Sequence, residues 1–151
     1  MNLRAGSAAD AAAMASVHAQ AFDAPWDQAA FEQLLSGPGV YAFLVAGDDP
    51  MGFVLCRAAA GEAEVLTVGV APWARRRGIG AALMTAAVAA ARTAGAQAMF
   101  LEVDADNAAA LALYESLGFE RAGLRKAYYD RGLAGRADAV VMRLDLASNA
   151  H

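Results

Sequence analysis

The chain has 151 residues, 58% of them apolar and 19% charged, and a formal net charge of −4. This length predicts one domain over residues 1–146 with a short tail at 147–151, burying roughly 68–70% of the unfolded surface, and the composition excludes the disordered class. The acidic balance argues against a general nucleic-acid binder, whose phosphate contacts need a basic face.

Asn2 to Ala5 reads as a short first strand. Ser7 with Asp10 three positions on resembles a capping box that opens a helix to about Phe22. Pro25-Trp26 interrupts the pattern, and Asp27 caps a second helix through Leu35, ended by Gly37-Pro38-Gly39. Val40 to Ala46 and Met51 to Arg57, joined by a Gly-Asp-Asp-Pro turn, read as a hairpin, and Glu64 to Val70 as a further strand. Gly80 to Ala94 is predicted helical, with Gly95 as its stop, and Ala98 to Val103 extended. Asn107 caps a helix to Leu117, and Gly118 follows in the left-handed position. Phe119 to Tyr128 and Ala137 to Leu146 are two more strands around a polar loop at 129–136. The expected fold is therefore α/β: a mixed central sheet of about seven strands with about four helices on both faces. Ala supplies 42 residues; it loses no side-chain entropy in a helix and buries little area, so Ala-lined helices around a modest core are expected.

One cysteine, Cys56, cannot form an internal disulfide framework, and with two histidines, His18 and His151, it cannot build a structural zinc site; no metal is expected. Cys56 lies inside an apolar strand and reads as a core residue. The uncharged run at 78–91 is Gly- and Ala-rich and shorter than the roughly 20 residues of a membrane span. The N-terminus lacks an apolar signal core. A cytoplasmic location with no membrane partner is the expectation.

The segment from Val68 to Leu83 is the most informative. A strand ends, a loop carries Arg75, Arg76 and Arg77, and Gly78-Ile79-Gly80 opens a helix. This is an anion cradle: N–H groups at a helix start lack partners, the helix dipole adds positive charge, and glycine lets backbone approach a ligand. A solvated arginine turn is the plainer alternative. The P-loop Gly-Lys-Ser/Thr is absent, and a dinucleotide fingerprint would need a third Gly where Leu83 stands, although Glu102 mimics its ribose-binding acid.

Arg75 to Gly80 resembles the pyrophosphate-binding motif of the GNAT superfamily of N-acetyltransferases, which use acetyl-coenzyme A. The segment from Leu101 to Phe119 is similar to that superfamily's strand–loop–helix. Together with Pro25-Trp26, Tyr128-Tyr129, Gly135-Arg136 and Asp138-Ala139, it most resembles the bacterial enzymes that acetylate the N-terminal alanine of ribosomal proteins. The resemblance implies that Val68, Gly69, Val70, the three arginines, Gly78, Ile79, Gly80 and Asn107 bind acetyl-coenzyme A. The oxyanion donor would be a strand N–H near Val68 to Val70, where two central strands separate, and Gly69 suits a bulge there.

An amine acceptor must lose a proton, and a free N-terminal amine has a pKa near 7.7–8.0, so a carboxylate base is plausible. The resemblance makes Glu102 that base; by itself it reads equally as a strand-end carboxylate. It also makes Tyr114 the acid for the departing thiolate, against the simpler reading of a core tyrosine between Leu111 and Leu117. Trp26, Tyr128 and Tyr129 would shape the acceptor groove, or else anchor loops on the core. Asp104 and Asp106 stand where a basic residue and a Ser are common, and Thr67 where Asn is usual. Extra carboxylates beside the acceptor would favour a cationic substrate.

The resulting expectation is direct acetyl transfer from acetyl-coenzyme A to the N-terminal alanine amine of a ribosomal protein, with no nucleic acid in the site. A lysine side chain or polyamine as acceptor, and a non-catalytic acyl-coenzyme A-binding module, are the alternatives.

Overall fold

The computed structural model describes residues 2–130 and 135–147. In chain order the elements are β1 (Asn2–Gly6), α1 (Ala11–Ala21), α2 (Gln28–Leu35), β2 (Val40–Ala46), β3 (Pro50–Ala59), β4 (Glu62–Val70), α3 (Ile79–Thr93), β5 (Ala98–Asp104), α4 (Ala108–Ser116), β6 (Glu120–Asp130) and β7 (Arg136–Asp145). Short 3-10 turns occupy Ala8–Asp10 and Pro72–Ala74.

The strands form one mixed sheet in the order β1-β2-β3-β4-β5-β7-β6. Strands β1 to β4 are an antiparallel meander, β4 and β5 run parallel, and β7 inserts antiparallel between β5 and β6. Helices α1 and α2 cover one face through Met14, Val17 and Phe31 against Leu44, Phe53 and Leu55. Helices α3 and α4 cover the other through Leu83, Met84, Leu111 and Tyr114 against Val54, Met99, Leu101 and Val103. Strand alternation thus sends Met99, Leu101 and Val103 to the α3/α4 face and Phe100, Glu102 and Asp104 to the α1/α2 face.

Local chemistry sets the boundaries. Ser7 and Asp10 make the expected capping box, Ser7 N–H donating to Asp10 Oδ2 at 2.9 Å. The box closes a 3-10 turn, however, so the expected helix from Ser7 is a short turn followed by α1. Asp27 caps α2 by accepting from Ala30 N–H at 2.9 Å, and Asn107 caps α4 from Ala110 N–H at 3.1 Å. Strands β6 and β7 extend into the expected loop, to Asp130 and from Arg136; residues 131–134 of that loop lie outside the described residues.

Two irregularities of β4 matter. Leu55 faces Thr67 while Cys56 faces Val65, so Leu66 is the extra residue of a bulge. The bulge expected at Gly69 is therefore at Leu66, and Gly69 pairs regularly with Phe53. Its missing side chain serves packing instead: a Cβ there would lie 3.3 Å from Phe53 Cε1 and 3.4 Å from Phe22 Cε2. The second irregularity is a split. The β4–β5 ladder holds only Glu62–Ala98, Ala63–Met99 and Glu64–Phe100. Beyond them no pair joins Val65–Val70 to Leu101–Asp104, which leaves a gap in the ladder between the two strands.

Candidate active site

One side of the gap is built from consecutive residues. After β4, Arg76 sits at φ 66° and Gly78 at φ 74°, two left-handed residues flanking Arg77 at the start of α3. Left-handed backbone turns successive N–H groups inward, and such concavities bind anions. Gly78 is the N-cap of α3 and supplies no side-chain cap, so the first N–H groups of a 15-residue helix stay open. Nothing lies within 4 Å of a Cβ added at Gly78, so glycine is needed there for its conformation alone. At Gly80 the reason is packing, since a Cβ would come 3.3 Å from Leu113 Cδ2 and that side chain would have to give way slightly.

All three arginines are exposed, and none forms an ion pair among the described residues. Arg75 Nε donates to the Val70 carbonyl at 3.3 Å, which ties the loop to the end of β4. Ile79 departs from the ligand-contact reading in one respect. Its side chain is core, and its Cγ2 would sit 2.9 Å from a Cβ added at Gly52, so only its backbone is available to a ligand. Val68 and Val70 pack partly against the α3/α4 core and likewise offer backbone toward the gap. Asn107 spends its Oδ1 on the α4 cap and keeps its amide NH2 free of that bond.

The other side is assembled from distant segments. Glu102 lies two residues past the last β4–β5 pair, on the α1/α2 face. Arg125 Nη1 donates to both of its oxygens, at 2.7 and 3.0 Å, and the Arg125 guanidinium carbon lies 3.8 Å from the Tyr128 ring centroid. The carboxylate beside it holds the Arg125 guanidinium above its usual range. Sequence reasoning missed Arg125: its partner is 23 residues earlier in the chain, and no local pattern marks it.

His18 was missed as well. It is 2% exposed and stacked between Phe22 (centroids 4.1 Å apart, 16°) and Trp26 (5.1 Å, 20°). Its Nδ1 accepts the Trp26 backbone N–H at 3.0 Å, which pins the turn between α1 and α2. Burial pushes the imidazole down to about 4, so it is neutral and carries its proton on Nε2. The available signal was helical spacing, because Met14, His18 and Phe22 fall four apart along one face. The Phe22 ring reaches Gly69 of β4, so this aromatic wall borders the gap. Trp26 and Tyr128 are partly exposed, at 36% and 43%, and the Tyr129 side chain lies outside the described residues.

Tyr114 sits on α4, on the opposite face from Glu102. It is 7% exposed, its ring meets Phe119 edge to face at 6.1 Å, and burial pushes its phenol up to about 12. Asp104 Oδ1 accepts the Asp106 N–H at 2.9 Å and so shapes the turn into α4. Cys56 is fully buried, with its thiol pushed up to about 12 by that burial, which leaves it a core residue. Among the described residues no helix is long and apolar enough to cross a membrane.

A left-handed loop feeding a helix, beside two parallel strands whose ladder stops short, lies within a fold that known proteins share. The family model described as "Acetyltransferase (GNAT) family" fits residues 11–119. The N-alpha-acetyltransferase RimI of Mycobacterium tuberculosis is 42% identical over 91% of this chain and 87% of its own length. The ribosomal protein bS18-alanine N-acetyltransferase of Salmonella typhimurium is 34% identical over 93% and 94%. The crystal structure of the Escherichia coli ribosomal-protein-S18-alanine N-acetyltransferase superposes with a TM-score of 0.88 at 31% identity, over 96% of this chain and 93% of that one. The order of strands, the two helix-covered faces and the loop before α3 are thus those of an established enzyme fold, and the chain belongs to the acetyltransferase (GNAT) family.

Proposed function

We propose that this protein transfers the acetyl group of acetyl-coenzyme A to the N-terminal alanine amine of a ribosomal protein, in the cytoplasm and by direct attack. The observation that carries the proposal is the position of Glu102, a half-buried carboxylate two residues past the last β4–β5 pair, where the ladder between the two strands has ended. The relatives named as ribosomal-protein alanine N-acetyltransferases match nearly the whole chain, which favours that acceptor over a lysine or a polyamine.

The residues present fit the donor. Open N–H groups at the start of α3, with Arg75, Arg76 and Arg77 around them, would hold its pyrophosphate. The gap-facing edge of β4 offers the backbone groups of Val68 and Val70 to its amide-bearing arm, with Gly69 between them paired to Phe53 of β3, and Asn107 can add its amide. When bound, acetyl-coenzyme A supplies a thioester whose acetyl carbon an amine can attack.

The remaining chemistry belongs to the chain. An N-terminal amine is largely protonated at neutral pH, so it must give a proton to a base before it has a lone pair. Glu102 Oε receives it, directly or through a water. Tyr114 Oη keeps its proton throughout the neutral range, because burial raises its pKa, and so remains a donor toward departing sulfur. A phenol near 12 releases its proton reluctantly to a thiolate whose own acid has a pKa near 8.5, so hydrogen-bond donation is its main contribution. Direct transfer is favoured over an acetyl-enzyme because Cys56 is sealed in the core as a thiol.

Thiol release from acetyl-coenzyme A with a peptide beginning in free Ala tests the reading. Glu102→Gln should lower kcat by roughly 10²-fold or more, in the range of general-base contributions, and Tyr114→Phe by roughly tenfold to 10²-fold, with donor affinity retained. Rates equal to wild type in both variants would remove these roles.

A further inference from the structure

We propose that Arg125 is a specificity-determining residue of the acceptor site, standing on the Glu102 carboxylate until the cationic end of an acceptor replaces it. The proposal rests on Glu102 being the base of the transfer described above.

Strand β7 lies between the two partners. The register sets Gly123, Val141 and Glu102 side by side across β6, β7 and β5, and then Arg125, Ala139 and Asp104. Residues two apart on β6 share a face, so Arg125 points to the Glu102 side and must reach across β7. The small, fully buried Ala139 leaves room for that crossing, and Gly123 puts no side chain in the way. The contact that results is peculiar in form. One nitrogen, Nη1, straddles both carboxylate oxygens at 2.7 and 3.0 Å, where a paired fork would use two nitrogens. The Tyr128 ring also packs on the guanidinium, its centroid 3.8 Å from the guanidinium carbon.

A protonated N-terminal amine presents N⁺–H donors to the same two oxygens. Both partners of the resident pair are accessible, the side chains being 51% and 30% exposed, so one cation can replace the other without opening the core. Exposed pairs of this kind are weak, equivalent to roughly twofold to fivefold in an equilibrium constant. After the exchange the acceptor's N–H bond breaks, its proton forms an O–H bond on Glu102, and the neutral amine keeps the electron pair. Arg125 retreats onto Tyr128. An end that carries no charge gains nothing in this exchange and leaves Arg125 in place. The residue therefore competes with a free, cationic terminus for Glu102 and leaves the binding of an uncharged end unchanged.

The test is calorimetric titration of wild type, Arg125→Gln and Arg125→Lys with a short peptide beginning in free Ala, in the presence of coenzyme A. With the resident cation gone, Arg125→Gln should bind the peptide roughly threefold to fivefold more tightly. Arg125→Lys keeps a cation and should stay within about twofold of wild type. In steady state the acceptor KM of Arg125→Gln should fall by the same factor, with a smaller change in kcat. The N-acetylated form of the peptide should gain nothing from the substitution. Equal or weaker binding of the free peptide by Arg125→Gln, or an equal gain for the acetylated one, overturns the proposal. Binding needs no turnover, so a wild-type protein that binds the peptide but never releases thiol would refute the acetyl transfer and still decide the role of Arg125.

Discussion

The loop from Arg75 to Gly80 and the face that carries Glu102 border the same gap, yet they are built over different distances along the chain. The proposed donor side is six consecutive residues, two of them left-handed, at the start of one helix. The proposed acceptor side joins His18 and Phe22 of α1 and its following turn, Trp26 beyond it, Glu102 of β5, and Arg125 and Tyr128 of β6. Backbone recognition of an anion needs only local conformation, which sequence encodes directly. Recognition by side chains needs tertiary packing, and here that packing includes a buried imidazole and an ion pair crossing a whole strand.

The contrast predicts different modes of failure. The largest effect belongs to His18. Its pKa is about 4 in the fold and near 6.5 in an unfolded chain, so between those values the unfolded state binds a proton that the native state does not. Stability should be full above pH 6.5 and fall by up to ~3 kcal/mol as pH drops to about 4. Asp10, held low by Arg4, contributes a loss only below the ordinary carboxylate range, so the window belongs to the imidazole. Urea unfolding across that window should show the slope in wild type and its absence in His18→Phe; parallel profiles would mean the imidazole is not sealed in the aromatic wall.

A smaller effect separates conformation from stability on the donor side. Gly78→Ala and Gly95→Ala both force a side chain into left-handed backbone, at φ 74° and 87°, and neither Cβ meets an obstacle. Each should cost about 1 kcal/mol in unfolding free energy. Only Gly78→Ala should also weaken acetyl-coenzyme A, by roughly fivefold to tenfold in a titration. Equal donor affinity in the two variants would detach the loop from the donor. The smallest effect is at the turn after β5. Asp104→Arg should lower selectivity for peptides with an early Arg by roughly twofold to threefold, as expected for a partly exposed charge. Unchanged ratios of kcat/KM across basic and neutral peptides would remove Asp104 from acceptor choice.

The same division decides what could be read from the sequence. Asp27, Asn107 and the Ser7–Asp10 box act within four residues, and each makes the bonds its spacing announces, although the box closes a 3-10 turn ahead of α1. Gly78 and Gly80 likewise open α3 as their motif suggests, one for conformation and one for packing. Gly69 misled because glycine has two uses in a strand. It marks close approach by Phe22, while the bulge formed three residues earlier at Leu66 with no residue type to signal it. Glu102 was legible as a type of residue at a strand end, but not as half of an ion pair, because β7 had to insert between β5 and β6 first. His18 looked like an incidental helical residue until Phe22, Trp26 and Phe31 closed around it from three segments.

The central claim is that the two sides meet at the gap to acetylate a free N-terminal alanine. Thiol release from acetyl-coenzyme A, compared at equal concentrations of a peptide with free N-terminal Ala, an N-acetylated peptide with one internal lysine, and spermidine, tests it most directly. The account predicts the highest kcat/KM for the Ala peptide by at least roughly tenfold, about 1.4 kcal/mol of discrimination, with its product acetylated at the terminus. Faster turnover of the lysine peptide or of spermidine would contradict it.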